Sequence, residues 1–403
     1  MKKHIKLFYK ILYYSINLGM ALFVYYSLHF FLKLIGKNIS RKKWIIGDSA
    51  GKYYDANANA IFEYLLKNTE EKVYFVLNSN SNDYNHVKKT GPTLKRFSFL
   101  ANFYALTSKV MIFTHHFNDI IRCNRIHLNN VFMVIIDHGV YAIKKKSETC
   151  AVELRKVNFI VCVSECEKKR KLLLQVNRNQ LNITGLPRFD TLNDKSKFSE
   201  KKTILYMPTW RPQLYHGNIK VLKNHDREFL KSEFYKKIIQ IFQSNKLKKI
   251  LEENNLVLKI CFHKFMHRYL PHISNDNKNN LIKILPLKEK VQKHLNNSAI
   301  LITDYSSVCW DFLYLDKPSI FYQFDYENYF SKYYESCIDL EKDLPGPIVK
   351  DLNQLISMLT IYNTVDFRIE EKYLKLKTKQ FSYNDKKNSE RLYKAIRKTY
   401  IIN

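Results

Sequence analysis

The chain has 403 residues, 46% of them hydrophobic, which is enough for two domains with ordinary cores and excludes global disorder. Its 67 Lys and Arg against 37 Asp and Glu give a formal net charge of +30. Such an excess favours polyanionic partners, but no signature of the common nucleic-acid-binding modules is visible. A lipid surface or a phosphate-rich substrate is therefore the better prediction. Seven cysteines without C-x-x-C spacing predict free thiols in a reducing compartment.

The first predicted element is an apolar, Tyr-rich run from Ile11 to Leu32 that contains no Lys, Arg, Asp or Glu. It reaches the roughly 20 residues needed to span a bilayer, and it lacks the small-residue cleavage site of a signal peptide. Basic residues flank both ends, so a span would leave one basic flank outside, against the positive-inside tendency. We therefore expect residues 1–43 to be a membrane-associating segment that lies in the plane of the anionic inner leaflet. A true span and a core helix are the alternatives.

Short β-type runs then alternate with longer helix-compatible stretches. Most of these runs are continuously apolar and rich in Val, Ile and Phe, which is typical of strands covered on both faces. The strand candidates are Lys72–Leu77, Val110–His115, Val131–Ile136, Phe159–Ser164, Thr203–Met207, Leu256–Phe262, Ile300–Thr303 and Ser319–Tyr322. Stretches such as Asp226–Asn254 are long enough for a crossover helix. The alternation predicts an α/β fold with parallel sheets.

A polar stretch at 193–202 (NDKSKFSEKK) separates the first four strand candidates from the last four. We interpret it as a linker between two facing Rossmann-like domains, residues 44–192 and 203–403. Ligands of such sheets bind at the carboxyl ends of the strands, so the residues that follow each strand carry the most information. Neither a G-x-G-x-x-G nor a P-loop motif occurs, which argues against dinucleotide oxidoreductases and P-loop NTPases.

A histidine follows the third and the sixth strand candidates. The third runs into Asp137-His138-Gly139, where a His beside a Gly that admits a ligand suits a general base. A structural His beside a turn Gly fits this pattern equally well. The sixth leads to His263-Lys264, which fits a diphosphate site or a solvated basic helix start.

Arginines and hydroxyl groups follow other strand candidates. The stretch Thr184–Asp190 (TGLPRFD) is a predicted turn in which Arg188 could hold a phosphate or form a surface salt bridge. The fifth candidate ends in Pro208, so Thr209 and Arg211 should project from a loop. The planar fork of an arginine matches phosphate oxygens.

The strongest local signal is Ile300–Asp311 (ILITDYSSVCWD). An apolar strand delivers Asp304, Ser306 and Ser307 at its end, and an apolar helix-like run follows. Hydroxyls and free N–H groups near a helix N-terminus bind phosphate. An ordinary helix cap explains one of the serines but does not readily explain the whole set.

The order of these motifs resembles the CDP-glycerol glycerophosphotransferase family, which includes teichoic-acid primases and polymerases. The matching stretches are Trp44–Asn57, Phe62–Tyr64, His138-Gly139, Gly185–Asp190, Ile204–Arg211, His263, Ile300–Phe312, Lys317-Pro318 and Tyr322. The resemblance implies a GT-B-like fold, no cofactor and no metal, and CDP-glycerol or a relative such as CDP-ribitol as donor. The hydroxyl of a lipid-linked or polymeric acceptor would attack the β-phosphorus, CMP would leave, and a polyol phosphate would be added.

The resemblance also implies roles for the site residues. His138 and His263 would be catalytic, with His138 as the base on the acceptor hydroxyl. The donor-binding residues would be His263, Thr209, Arg211, Ser306 and Ser307, with Asp304 and Asp311 supporting their loop and Arg188 as a secondary phosphate contact. The chain departs from the family pattern at 140–144 (VYAIK), where many members have a Thr-Pro-Leu-Lys-like stretch, so the acceptor and the polyol stay open.

Two other classes of function stay open at this stage. A sugar glycosyltransferase of the same architecture, acting with a nucleotide sugar, would want an acidic group for sugar hydroxyls and would not need paired serines. A non-catalytic basic protein that binds nucleic acid or membrane predicts no histidines at strand ends in both halves. We therefore expect an anionic membrane surface, and no nucleic acid, among the partners.

Overall fold

The computed structural model describes residues 2–198, 200–214, 222–274, 280–286, 289–332 and 335–402. The chain divides into two compact units. The first consists of residues 1–138, 147–191 and 382–403, and the second of residues 139–146 and 192–381. Ser199 of the predicted linker lies outside the described residues.

Each unit contains one parallel sheet. The first has β1 (Lys43–Gly47), β2 (Lys72–Leu77), β3 (Thr93–Lys95), β4 (Val110–Phe113), β5 (Phe132–Ile135), β6 (Phe159–Cys162) and β7 (Leu181–Ile183), in the order β3-β2-β1-β4-β5-β6-β7. The second has β8 (Lys202–Tyr206), β9 (Leu256–Ile260), β10 (Ile282–Ile284), β11 (Ile300–Thr303), β12 (Ser319–Tyr322) and β13 (Ile348–Val349), in the order β10-β9-β8-β11-β12-β13.

Helices connect these strands. In chain order they are α1 (Lys2–Leu34), α2 (Ala56–Asn68), α3 (Tyr84–Thr90), α4 (Phe99–Leu106), α5 (Glu148–Arg155), α6 (Glu165–Leu172), α7 (Leu222–Lys231), α8 (Glu233–Gln243), α9 (Asn245–Glu253), α10 (Leu270–Ser274), α11 (Val291–Asn297), α12 (Cys309–Tyr314), α13 (Tyr326–Lys332), α14 (Leu340–Asp343), α15 (Leu352–Thr364), α16 (Glu371–Gln380) and α17 (Asn388–Ile402). Short 3₁₀ helices lie at Ser49–Gly51, Phe117–Asp119, Arg125–Leu128, Arg178–Gln180, Pro187–Thr191, Ser196–Phe198, Pro212–Leu214 and Lys264–Tyr269.

The predicted α/β fold with parallel sheets is confirmed. Strands β4, β5, β6, β11 and β12 are buried along their whole length, which explains their continuous apolar runs. Five strands were not predicted: β1, β3, β7, β10 and β13 have only two to five residues each. The seven cysteines are free thiols, and Cys162 and Cys309 are buried.

The stretch Asp226–Asn254, expected to be long enough for crossover helices, is helical in three pieces that belong to α7, α8 and α9. The side chain of Ser232 accepts a hydrogen bond from the Tyr235 backbone N–H and caps α8. Ser244 ends α8 and caps α9 in the same way. Serine side chains compete with the helical hydrogen bonds of the backbone, so each serine starts a new helix.

The C-terminal segment differs from its expected place. The sequence assigned residues 203–403 to one domain, whereas 382–403 pack in the first unit. The Asp190 carboxylate accepts hydrogen bonds from the backbone N–H groups of Asn388 and Ser389, at 2.8 and 2.7 Å, and from Asn388 Nδ2 at 2.7 Å. Gly185 has a φ of +76° and abuts the Asn388 side chain, which leaves no room for a Cβ atom. One carboxylate therefore holds the start of α17.

Helix α1 packs along one side on the first unit. Ala21 is fully buried, and Tyr25 is 4% exposed. Asn17 Oδ1 accepts from the Phe99 backbone N–H at 3.0 Å, and Arg41 Nη2 donates to the Tyr25 hydroxyl at 3.0 Å. The rest of α1 exposes many large apolar side chains. They include Phe8, Tyr9, Ile11, Ile16, Met20, Phe23, Phe30, Phe31 and Leu34. By length and composition, Leu7–Leu34 could cross a membrane. Only 6% of its apolar stretch is buried against the rest of the chain.

Replacing Asp190 by Ala tests the anchor of α17. We expect a loss of about 1–3 kcal/mol in the free energy of unfolding, because two helix N–H groups and an amide lose a charged acceptor. Urea unfolding measures the loss, and hydrogen exchange should quicken first in α17. Asp385→Ala is the matched control, since its pair with Arg391 is partly exposed and should contribute at most about 1 kcal/mol. Equal losses in the two variants would contradict the assignment.

Candidate active site

The loop after β5 carries His138 and is held through its backbone. Asp137, just before it, has a φ of +51°, a left-handed conformation that Asp tolerates better than most residues. Asn57 Nδ2 donates to the Asp137 carbonyl at 2.9 Å, and Arg188 Nη1 donates to the His138 carbonyl at 2.9 Å. Asn57 Oδ1 also accepts from the Arg188 backbone N–H at 3.1 Å. Two separate motifs of the sequence therefore meet on the His138 loop.

Arg188 was expected to contact phosphate. In the structure this residue is 6% exposed, and its guanidinium bonds the protein backbone. The geometry thus favours a role in fixing the His138 loop. Contact between Arg188 and a ligand stays a prediction.

The His138 side chain is 64% exposed and stacks on His115, with ring centroids 4.9 Å apart and an interplanar angle of 5°. His115 Nδ1 lies 3.7 Å from Asp48 Oδ1 and 3.8 Å from Asp119 Oδ2. Burial lowers the pKa of His115, but the hydrogen bond and charge of Asp119, together with the charge of Asp48, raise it above its usual value overall. Asp119 and Asp48 therefore favour the charged form of His115, which stacks on His138.

Sequence reasoning missed the cluster of Asp48, His115 and Asp119. Their potential ligand atoms lie within 4.8 Å of one another, a spacing that could suit a metal ion. However, Asp119 accepts from the backbone N–H groups of Ala50 and His115, at 2.7 and 3.0 Å, and Asp48 accepts from the Thr114 hydroxyl. Because oxygens of both carboxylates already accept hydrogen bonds, the cluster is better suited to orienting His115 than to binding a metal ion. Its signal in the sequence was a His at the end of a strand candidate.

In the second unit, Arg211 forms a buried network of charges. Its Nε and Nη2 donate to Asp325 at 2.6 and 2.9 Å, and its Nη1 donates to Asp304 Oδ2 at 2.8 Å and to the Thr209 carbonyl at 2.6 Å. Asp304 also accepts from the Thr209 backbone N–H at 2.9 Å. Arg211 is 1% exposed and Asp304 is fully buried. Arg211, which was expected at the donor diphosphate, thus binds two carboxylates. Its hydrogen bonds are those of a residue that holds the Thr209 loop in place.

Smaller polar groups lie around this network. Ser306 and Ser307 are half-buried between β11 and α12, and Ser306 Oγ accepts from the Val308 backbone N–H at 3.4 Å. Asp311 is buried within α12. Thr209 Oγ1 is buried and has no hydrogen-bond partner in the part of the chain that the structure describes. These hydroxyls are available to a ligand in a way that the Arg211 guanidinium is not.

His263 follows β9 and stacks on Trp210, with ring centroids 6.0 Å apart. Burial and, to a smaller extent, the positive charges of Lys264 and Lys144 together lower the pKa of His263 to about 4. The ring is therefore neutral at neutral pH. Its Nδ1 accepts from the Phe265 backbone N–H at 3.3 Å, which assigns the remaining proton to Nε2. His263 can thus donate a hydrogen bond to an anion.

The sequence profile of the CDP-Glycerol:Poly(glycerophosphate) glycerophosphotransferase family matches residues 28–398. The chain belongs to this family. It is 29% identical over 367 residues to the minor teichoic acid biosynthesis protein GgaB of Bacillus subtilis, covering 88% of this chain and 39% of GgaB. It is 27% identical over 405 residues to a teichoic acid poly(glycerol phosphate) polymerase of Bacillus spizizenii, covering 90% and 93% of the two chains.

A solved structure of the wall teichoic acid polymerase TagF superposes with a TM-score of 0.66 at 18% identity, over 90% of both chains. This likeness confirms the predicted GT-B-like fold. The family match confirms the resemblance drawn from the motifs. The chain spans about two fifths of the length of GgaB, 39% of it.

Arg211→Met tests the buried network. We expect the free energy of unfolding to fall by about 3–5 kcal/mol, because Asp304 and Asp325 would keep buried charges without a partner. Urea unfolding followed by Trp fluorescence measures the change. Arg268→Met is the control, because its pair with Asp226 is partly exposed and should contribute about 1 kcal/mol or less. A loss in Arg211→Met no larger than that of the control would refute the supporting role.

Proposed function

We propose that the chain transfers glycerol phosphate, or a related polyol phosphate, from a CDP-activated donor to the hydroxyl of a lipid-linked or polymeric acceptor. CMP is released, and the product is a teichoic-acid-like or capsular polymer. The observation that carries the proposal is the family match over residues 28–398. The names of GgaB and of the Bacillus spizizenii polymerase point to teichoic acid, and a TagF variant was soaked with CDPG.

His138 is the proposed base for the acceptor. Its exposed imidazole takes the proton of the attacking hydroxyl while the acceptor oxygen forms a bond to the β-phosphorus. The bond from the β-phosphorus to the bridging oxygen breaks, and CMP leaves with that electron pair. His115 stacks on one face of the His138 ring and orients it. Asn57 and Arg188 hold the backbone of the His138 loop.

The donor diphosphate is proposed to bind in the second unit. His263 Nε2–H and the hydroxyls of Thr209, Ser306 and Ser307 supply hydrogen-bond donors, while Asp304, Asp311 and Arg211 hold their loops. Phosphoryl transfer depends mostly on positioning and on stabilisation of charge, so such donors suit the reaction. We propose that it needs no metal ion and no cofactor.

His138→Ala tests the reaction and the base together. With CDP-glycerol and a lipid-linked glycerol-phosphate acceptor, the native protein should release CMP only when the acceptor is present. The variant should release it about 10²- to 10⁴-fold more slowly, the usual contribution of a general base. Chromatography of CMP measures both rates. His86→Ala, an exposed histidine on α3, is the matched control and should retain the native rate.

The outcomes separate the parts of the proposal. Undiminished release by His138→Ala would contradict its role as base. Release from CDP-ribitol alone would keep the chemistry and change the polyol, whereas turnover of a nucleotide sugar alone would favour the sugar glycosyltransferase. Loss of activity in EDTA would overturn metal independence and point to the cluster of Asp48, His115 and Asp119.

We also propose that α1 lies in the plane of the cytoplasmic membrane surface. Asn17 and Tyr25 are tied to Phe99 and Arg41 of the first unit, and both lie inside the apolar stretch Leu7–Leu34. If that stretch crossed a bilayer, the folded segments bound to its middle would enter hydrocarbon, where irregular backbone is costly. An in-plane helix keeps these contacts and places its exposed apolar side chains in lipid.

Replacing Phe23, Phe30 and Phe31 together by Ser tests this attachment, since these side chains are 74%, 62% and 66% exposed. We expect partitioning onto vesicles with anionic phospholipids to fall at least about tenfold, because three apolar side chains no longer enter the lipid. Flotation measures it. Leu173→Ser is the control, because this 78% exposed apolar side chain lies outside α1, directly after α6. Unchanged flotation of the triple variant would refute attachment through α1, and resistance to an alkaline wash would indicate a span.

A further inference from the structure

The short segment 139–146 packs in the second unit, although it follows directly after His138 in the chain. The Lys145 backbone N–H donates to the Glu335 carbonyl at 2.8 Å, and the Cys337 N–H donates to the Ile143 carbonyl at 3.4 Å. Lys144 and Ser336 form an isolated antiparallel bridge. Backbone pairing therefore fixes where the side chains of this segment lie.

The segment begins against Ser307, in the loop between β11 and α12. A Cβ atom on Gly139 would lie 2.5 Å from Ser307 Oγ, so only glycine fits here without displacing that hydroxyl. This close approach places residues 139–146 beside a group proposed to hold the donor. The contact with Ser307 alone accounts for a glycine at position 139.

Lys144 brings a positive charge to the same place. Its side chain is half-buried, and its Nζ donates to the Tyr329 hydroxyl at 3.3 Å. The pKa of Lys144 is lowered to about 8, mainly by burial, with a smaller raising effect from Asp304 and a lowering effect from Arg211. Lys144 is also one of the two cations that lower the pKa of His263. The ammonium therefore lies within electrostatic reach of His263 and of the Arg211 network.

The charge of Lys144 differs in kind from that of Arg211. The carboxylates of Asp325 and Asp304 both accept hydrogen bonds directly from the Arg211 guanidinium. A lysine ammonium is a compact charge with three rotatable donors and binds phosphate as a point charge. A nucleoside diphosphate needs such a charge, because its two bridged phosphates are anionic at neutral pH.

We propose that Lys144 is a further donor-binding residue, which binds the diphosphate of the CDP-polyol together with His263 and Ser307. The inference rests on the proposed function and assigns the diphosphate site to a segment that the sequence had left without a role. The proposed base His138 and the proposed donor ligand Lys144 are thus six residues apart in the chain.

Lys144→Met tests the inference, with Lys144→Arg and Lys145→Met as matched variants. Calorimetry of the full chain without acceptor gives the Kd for CDP-glycerol and for cytidine, which has no phosphate. We expect Lys144→Met to weaken CDP-glycerol about 10- to 100-fold, as for a lost charge-assisted bond, and to leave cytidine unchanged. Lys144→Arg should recover part of the affinity. Lys145→Met should bind within about twofold of the native protein, because a surface pair such as that of Lys145 with Glu335 contributes little.

Native affinity for CDP-glycerol in Lys144→Met, or an equal loss in Lys145→Met, would overturn the inference. An equal loss of cytidine binding would overturn it too, since it would indicate a general distortion. If the native protein binds a UDP-sugar instead of CDP-glycerol and Lys144→Met weakens that ligand, the diphosphate role of Lys144 stands and the proposed function fails.

Discussion

The second unit depends on one buried arginine. Arg211 links the ends of three neighbouring strands, because Thr209 follows β8, Asp304 follows β11 and Asp325 follows β12. In a parallel sheet these ends lie at one edge, so a single guanidinium can bond all three loops. Burying three charges costs free energy that the geometry must offset, and the fork of Arg211 does so with four short hydrogen bonds. This contact therefore ties the Thr209 loop to Asp304, at the start of the loop between β11 and α12.

The two units place histidines in opposite electrostatic surroundings. Burial and two lysines keep His263 neutral, so its Nε2 is a hydrogen-bond donor without a charge. Two aspartates instead favour the charged form of His115, which stacks on the exposed His138. Environments that push the pKa values of similar groups apart are how one protein assigns different roles to the same side chain. The proposed base His138 and a neutral His263 are compatible with the proposed reaction, in which a proton leaves the acceptor and negative charge develops on the donor.

The sequence predicted the fold where burial imposes a pattern and failed where it does not. Fully buried strands such as β11 and β12 were found with their full bounds, since a strand covered on both faces has little freedom in composition. The central strand β1 was missed because its three apolar residues follow a basic stretch. The place of α17 was missed because a capping carboxylate, Asp190, lies far away in the chain. Asp325 and Asp119 carry no local signal, since only the folded chain brings them to their partners.

The roles of the arginines show why a motif alone is insufficient. Carboxylate, phosphate and carbonyl oxygens all accept from a guanidinium, so the sequence cannot distinguish a ligand contact from a structural one. Arg211 bonds carboxylates and Arg188 bonds the His138 carbonyl. Arg188 thereby holds the loop of the proposed base, and Arg211 holds the loop of Thr209, whose buried Oγ1 has no hydrogen-bond partner among the described residues. Because phosphoryl transfer is accelerated chiefly by preorganised positions, an arginine can affect the rate of the proposed reaction through the loop that it holds, whether or not it contacts the substrate.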